Sequence, residues 1–163
     1  MAADRSVALV TGGARRLGRA MALSLAARGH DVAIHYDRSA DAAEATAAEA
    51  RAMGVQVRVF QADLLDPGAT AALIPRISDA MGRLSVLVNN ASIFEYDNLR
   101  SATMESWDRH VGSNLRAPFQ LIQSFAAQAA PALPDENGEP VAQGLVVNMV
   151  DQRVLKPTPE FMT

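Results

Sequence analysis

The 163-residue sequence has no cysteine, a single lysine (Lys156), one tryptophan and two tyrosines, and aromatic residues make up only 5% of it. The absence of cysteine excludes disulfides, zinc–thiolate centres and thiol nucleophiles. An excess of either charge is lacking too: the net charge of −3 offers no electrostatic case for nucleic acid or an anionic membrane surface. No apolar run approaches the length of a membrane span, and Met1–Ser6 lacks the basic and apolar blocks of a secretory signal. His30 and His110 have no partner at metal-ligand spacing, so no metal site is expected. The expectation is one soluble, cytoplasmic domain, since this length supports a single full core and not comfortably two.

What is present is an alternation. Val7–Val10 is a continuous apolar run, as in a parallel strand covered on both faces. Further strands are predicted over Asp31–Tyr36, Val55–Phe60, Leu84–Val88 and Leu145–Val150. Helices are predicted over Arg16–Arg28, Ser39–Met53 and Pro67–Met81, with Ser39 or Asp41 and then Asp66 as caps. Pro75 leaves the middle of the third helix uncertain. Two more helical stretches lie between Thr103 and Ala130, broken near Gly112 or Ser113; the second is expected to bury Leu115, Phe119, Ile122 and Phe125, with a surface wide enough to meet another subunit. Pro134–Gly144 reads as a polar loop. The alternation implies an α/β fold, a Rossmann-like doubly wound parallel sheet.

The turn Thr11-Gly12-Gly13-Ala14-Arg15-Arg16-Leu17-Gly18 follows a strand and opens a helix. Backbone N–H groups at a helix N-terminus, together with its dipole, favour a pyrophosphate; Gly12 permits the tight turn and Gly18 close packing of helix on sheet. Arg16 stands at the third fingerprint position, usually a glycine. At the end of the second strand, His35-Tyr36-Asp37-Arg38-Ser39 has a tyrosine where an acid would select NAD, and Arg38 and Ser39 can hold the extra phosphate of NADP; Asp37 is the dissenting charge.

With this turn, Asp63-Leu64 after the third strand, Asn89-Asn90-Ala91 after the fourth and Asn114 in the helical region, the chain resembles the short-chain dehydrogenase/reductase family over its whole length. Three departures from the common pattern resemble the pteridine reductase branch: Arg16 for glycine, Ser92 after Asn-Asn-Ala, and Asp151 where most relatives carry a catalytic serine. The resemblance implies residues 1–163 as the N-terminal portion of an NADP-binding domain. It implies NADPH contacts from Gly12, Arg15, Arg16, Leu17 and Gly18, from His35, Tyr36, Arg38 and Ser39, from Ala62, Asp63 and Leu64, and from Asn90, Ala91 and Ser92. A pterin-like small-molecule substrate would meet Arg16, Ser92, Phe94 and Asp151, with Asp151 and Asn114 catalytic. The relatives are commonly homotetramers.

The residues themselves leave alternatives open. Arg16 is either a cation over the phosphates or a solvated helix arginine. Phe94 is either a stacking face or a core residue. Asp151 is either a proton donor, its pKa raised by burial at a strand end, or a cap on the next turn. The function implied is NADPH-dependent reduction of a dihydropterin, with ketone reduction or non-catalytic NADP(H) binding and oligomerisation as the other readings. The family's Tyr-x-x-x-Lys pair would begin thirteen residues after Asp151, at position 164, so the parent gene is expected to continue with it, and the sheet without its further strands is expected to expose an apolar edge.

Overall fold

A computed structural model describes residues 6–157; the N-terminal stretch read above therefore lies, Ser6 apart, outside the described residues. Five parallel strands form the central sheet: β1 (Val7–Val10), β2 (Asp31–Tyr36), β3 (Val57–Gln61), β4 (Leu84–Asn89) and, after a small hairpin, β7 (Leu145–Asn148), in the spatial order β3-β2-β1-β4-β7. The order reverses beside β1, which makes the C-terminal ends of β1 and β4 the switch point where such sheets bind ligands.

Alternation along β1 builds two cores. Ala8 and Val10 face α1 (Arg16–Ala27) and α2 (Ala40–Arg51), whose buried residues Ala22, Ala26, Ala43, Ala47 and Ala50 let helix and sheet approach closely. Val7 and Leu9 face α3 (Pro67–Met81) and α5 (Ala117–Gln128), which contribute Leu73, Ile74, Ile77, Leu121 and Phe125. Helix α3 runs through Pro75, as burial of its Leu73, Ile74 and Ile77 outweighs one missing hydrogen bond. Asp66 caps it, accepting from Gly68 N–H at 2.7 Å. Ser39 occupies the N-cap position of α2 without a side-chain cap bond.

Several expectations need correction. The region after β4 does not break at Gly112: α4 (Met104–Val111) continues through a π-helical segment, Gly112–Arg116, into α5. The extra residue in that turn rotates the following side chains, so Leu115 and Phe119 are 65% and 58% exposed, and only Phe125 of the expected set is fully buried. The polar loop contains a two-stranded hairpin, β5 (Leu133–Pro134) and β6 (Pro140–Val141). Strand β3 starts at Val57, and β7 ends at Asn148 rather than Val150. Strand β7 is an edge of this sheet, with Leu145 exposed on it and Met149 and Val150 exposed just after it.

Candidate dinucleotide and substrate cleft

The C-terminal ends of β1, β2 and β4 and the start of α1 enclose a cleft of about 340 Å³, lined by Gly12, Arg15, Arg16, Leu17, Gly18, His35, Asp37, Asn90, Ala91 and Ser92. A neighbouring hollow shares His35, Asp37, Ala91 and Ser92 with it and extends to Asp63, Leu64, Ile93 and Ser113. Eleven expected cofactor contacts thus border one continuous depression: five on the glycine turn, three after β4, and His35 with Asp63 and Leu64. Asp63 and the adjoining Ala62 complete the β3 end, Ala62 being buried. Tyr36, Arg38 and Ser39 lie at the end of β2 outside this lining. Arg38 is exposed, its Nε 3.3 Å from the Asp37 carboxylate.

Local chemistry fixes the rim. Thr11, 1% exposed, ties β1 to β4: its Oγ1 accepts from the N–H groups of Asn90 (2.9 Å) and Ala91 (3.0 Å). Asn90 Nδ2 donates back to Thr11 O at 2.9 Å and Gly12 O at 3.3 Å. Gly12 adopts φ +62°, open to glycine at little cost. A Cβ on Gly18 would lie 2.1 Å from Gly12 O, so this contact admits no side chain.

The turn also contains a strained residue. Arg16 has φ +52°, the only non-glycine among the described residues with positive φ. Such a backbone costs a non-glycine residue about 1–3 kcal/mol. The position is thus one that glycine suits, and an arginine occupies it.

The cradle fits a dinucleotide phosphate group. α1 has no side-chain cap and no acidic residue in its first turn, whereas α3 and α4 are capped by Asp66 and Thr103. Its leading N–H groups, with Arg15 and Arg16 alongside, are left for an anion. Among the described residues, no group of three His, Cys, Asp or Glu could hold a metal ion, and no helix is long and apolar enough to cross a membrane.

In the loop after β4, Phe94 is 54% exposed, which removes the core alternative, and the Arg153 guanidinium lies 5.4 Å from its ring centroid. Ser92 is exposed at the cleft. Asn114, on the π-helical segment, spends both ends of its amide on Ile93: Oδ1 accepts from Ile93 N–H at 2.9 Å and Nδ2 donates to Ile93 O at 2.8 Å. It therefore holds the loop carrying Ser92 and Phe94.

Asp151 needs a correction. Because β7 ends three residues earlier, Asp151 is exposed and not buried. It caps the short 3-10 turn Gln152–Val154, accepting from Arg153 N–H at 2.8 Å, with the Arg153 guanidinium 3.8 Å from its carboxylate.

Three contributors carry little signal in the sequence. Thr11 sits inside the motif but was read only as its first letter. His110, weighed in the sequence only as a metal ligand without a partner, is 3% exposed, and its Nε2 accepts from Glu95 N–H at 3.2 Å, anchoring the loop after Phe94. Arg153 has no sequence signal; only the fold brings it over Phe94.

A family model described as short chain dehydrogenase matches residues 6–160. Among curated proteins, the chain is similar to the 3-oxoacyl-[acyl-carrier-protein] reductase FabG of Staphylococcus aureus, 39% identical over 74% of this chain and 49% of that protein. It is also 38% identical to the 1-cyclohexenylcarbonyl-CoA reductase of Streptomyces collinus, over 85% of this chain and 48% of that protein. The chain spans about half the length of the curated relatives it matches. Among solved structures it is similar to FolM alternative dihydrofolate reductase 1 from Brucella canis, complexed with NADP, with a TM-score of 0.85 and 40% identity over 98% of this chain and 61% of that one. A short chain dehydrogenase from Burkholderia cenocepacia in complex with NADP has a TM-score of 0.73 and 40% identity over 77% of this chain and 51% of that one. With the glycine cradle, the strand order and a family match over nearly all its length, the chain belongs to the short-chain dehydrogenase family.

Proposed function

We propose that this chain is the cofactor-binding portion of an NADPH-dependent oxidoreductase that reduces a dihydropterin or related pteridine. The observation that carries the reading is Arg16: a planar, permanent cation held at φ +52° on the rim of the cleft, where glycine would be unstrained. Strain of this kind persists where the surrounding structure over-determines it, and it clusters at ligand and active sites. The exposed ring of Phe94 beside the same cleft supports a flat heterocyclic substrate, as does similarity to an NADP-complexed alternative dihydrofolate reductase.

The bound cofactor supplies a hydride to a C=N carbon. The protein's part is to bind and align. The α1 N-terminus and Arg16 hold the phosphates, Gly12, Arg15, Leu17, Gly18, Asn90 and Ala91 form the cradle, and Arg38 with Ser39 takes the 2′-phosphate by exchanging Arg38's contact with Asp37. His35, Tyr36, Ala62, Asp63 and Leu64 frame the adenosine end. Phe94 stacks on the pterin, Ser92 borders it, and Asp151, open to solvent, relays a proton to the nitrogen; Asn114 keeps the substrate loop in place. The exposed Leu115 and Phe119 on the α5 side supply an apolar face for a homo-oligomer, a tetramer by family likeness, and the setting is cytoplasmic.

The test is oxidation of NADPH, followed by nicotinamide absorbance, by the chain and by the open reading frame that contains it, with dihydropterins, 3-oxoacyl thioesters and simple ketones. Turnover of dihydropterin is expected, lost in Phe94→Ala through weaker pterin binding. Ketone or thioester turnover alone favours a carbonyl reductase, a reading supported by likeness to the Staphylococcus aureus reductase. Cofactor binding without turnover of any substrate favours a non-catalytic module.

A further inference from the structure

His35 does more than frame the adenosine end. It is 2% exposed on β2, on the same sheet face as Ala33, yet its ring reaches two different loops. Gly12 N–H donates to His35 Nδ1 at 3.1 Å. His35 Nε2 lies 3.1 Å from Ala62 O, at the end of β3. A carbonyl oxygen only accepts, so Nε2 carries the proton; an amide N–H only donates, so Nδ1 carries none. The two partners together permit one species, the neutral Nε2–H imidazole. His35 also holds the turn through its backbone, its carbonyl accepting from Gly13 N–H at 2.9 Å.

We propose that His35 is the positioning residue of the dinucleotide cradle: its unprotonated Nδ1 fixes the Gly12 amide, and through it the turn whose later amides meet the phosphates. The proposal rests on the dinucleotide reading above, but its structural half stands apart from it. Protonation at Nδ1 would set two N–H groups against each other in a buried site, and the Gly12 amide would have to leave. Cofactor binding then requires loss of that proton. Burial works in the same direction, lowering the pKa of the ring, while the Ala62 bond and nearby Asp37 partly oppose it. The other charged groups around the two hollows it borders are Arg15 and Arg16 on the turn and Asp63 after β3; Arg15 and Arg16 disfavour the imidazolium, and Asp63 favours it.

The experiment has two arms. In the first, NADPH affinity is titrated by nicotinamide fluorescence from about pH 8 to about pH 5 for the wild type and for His35→Asn, whose Oδ1 can replace Nδ1 as acceptor but does not titrate. The NADPH 2′-phosphate titrates in the same range, so the difference between the profiles is the readout. The wild type is expected to lose affinity more steeply, by up to about ten-fold further per pH unit once His35 is forced to protonate. His35→Leu, lacking any acceptor, is expected to bind about ten-fold more weakly throughout. Superimposable wild-type and His35→Asn profiles down to the pH at which the imidazole nitrogen shifts show His35 protonated would overturn the proposal. The second arm needs neither variant nor cofactor: imidazole nitrogen chemical shifts of the wild type should report the Nε2–H tautomer of His35 at neutral pH, and an Nδ1–H or charged ring would overturn it. Failure to bind NADPH at any pH, with the tautomer as expected, would sink the dinucleotide reading alone.

Discussion

Asn114 and Ile93 are joined by two hydrogen bonds that use both ends of one amide and both backbone groups of one residue, at 2.9 and 2.8 Å. Twenty-one residues apart, they lock the π-helical segment to the loop after β4. Asn114→Leu removes both bonds and is expected to destabilise the protein by about 1–2 kcal/mol, since each such bond contributes about 1 kcal/mol. Faster hydrogen exchange at the Ile93 amide, with the β1 amides unchanged, is the expected mark of a loosened loop; unchanged Ile93 protection would refute it.

Gly18→Ala sets a methyl carbon 2.1 Å from a backbone oxygen that cannot swing aside. Helix α1 or the turn must shift, with an expected loss of about 2–4 kcal/mol, more than any helix-propensity gain of about 1 kcal/mol. A urea midpoint equal to the wild type would contradict this geometry.

Arg16→Gly should act in opposite directions on stability and on binding. Relief of the positive φ is expected to raise stability by about 1 kcal/mol. Loss of the guanidinium is expected to weaken NADPH binding by about ten-fold, as charge-assisted bonds contribute roughly 1.5–3 kcal/mol. Thermal denaturation and cofactor titration on the same preparation separate the two effects.

Folding stability should also carry the signature of His35. Burial holds its folded-state pKa below the ordinary 6.5, so the unfolded chain binds this proton more readily. Above that ordinary value both states are neutral and the group contributes nothing to the pH dependence. As pH falls below it, the unfolded state gains protons first, and stability is lost until the folded pKa is passed. Comparison of urea midpoints for the wild type and His35→Asn near neutrality and in mild acid checks the sign: the wild type should lose more.

Much of this architecture was legible in the chain. Val7–Val10 and Asp31–Tyr36 emerge as strands with the bounds read from their apolar runs, and Asp66 caps α3 as its position before Pro67 suggested. The glycine turn was readable because its context, strand before and helix after, is itself sequence. Leu115 and Phe119 were misplaced because periodicity assumes 3.6 residues per turn, and Gly112–Arg116 departs from it. Of the two readings of Asp151, the turn cap holds and the buried strand end does not, for a related reason: apolar Met149 and Val150 extend the pattern of β7, but pairing with β4 ends at Asn148. The positive φ of Arg16 was hinted at by its place at a position usually filled by glycine, whereas the place of Arg153 over Phe94 belongs to tertiary structure, and no local pattern encodes it.

The π-helical segment has a consequence for how this chain tolerates change in length. One residue too many is wound into that turn, and each residue of an α-helix advances the face by about 100°. Deleting one residue from Gly112–Arg116 would restore regular winding and improve the helix as a helix. It would also swing Leu121 and Phe125 out of the core and turn Asn114, or whatever then stood there, away from Ile93. The irregularity is therefore a phase setting: it keeps two stretches of one continuous rod in register with two different neighbours, and a shorter, more perfect helix would lose both contacts.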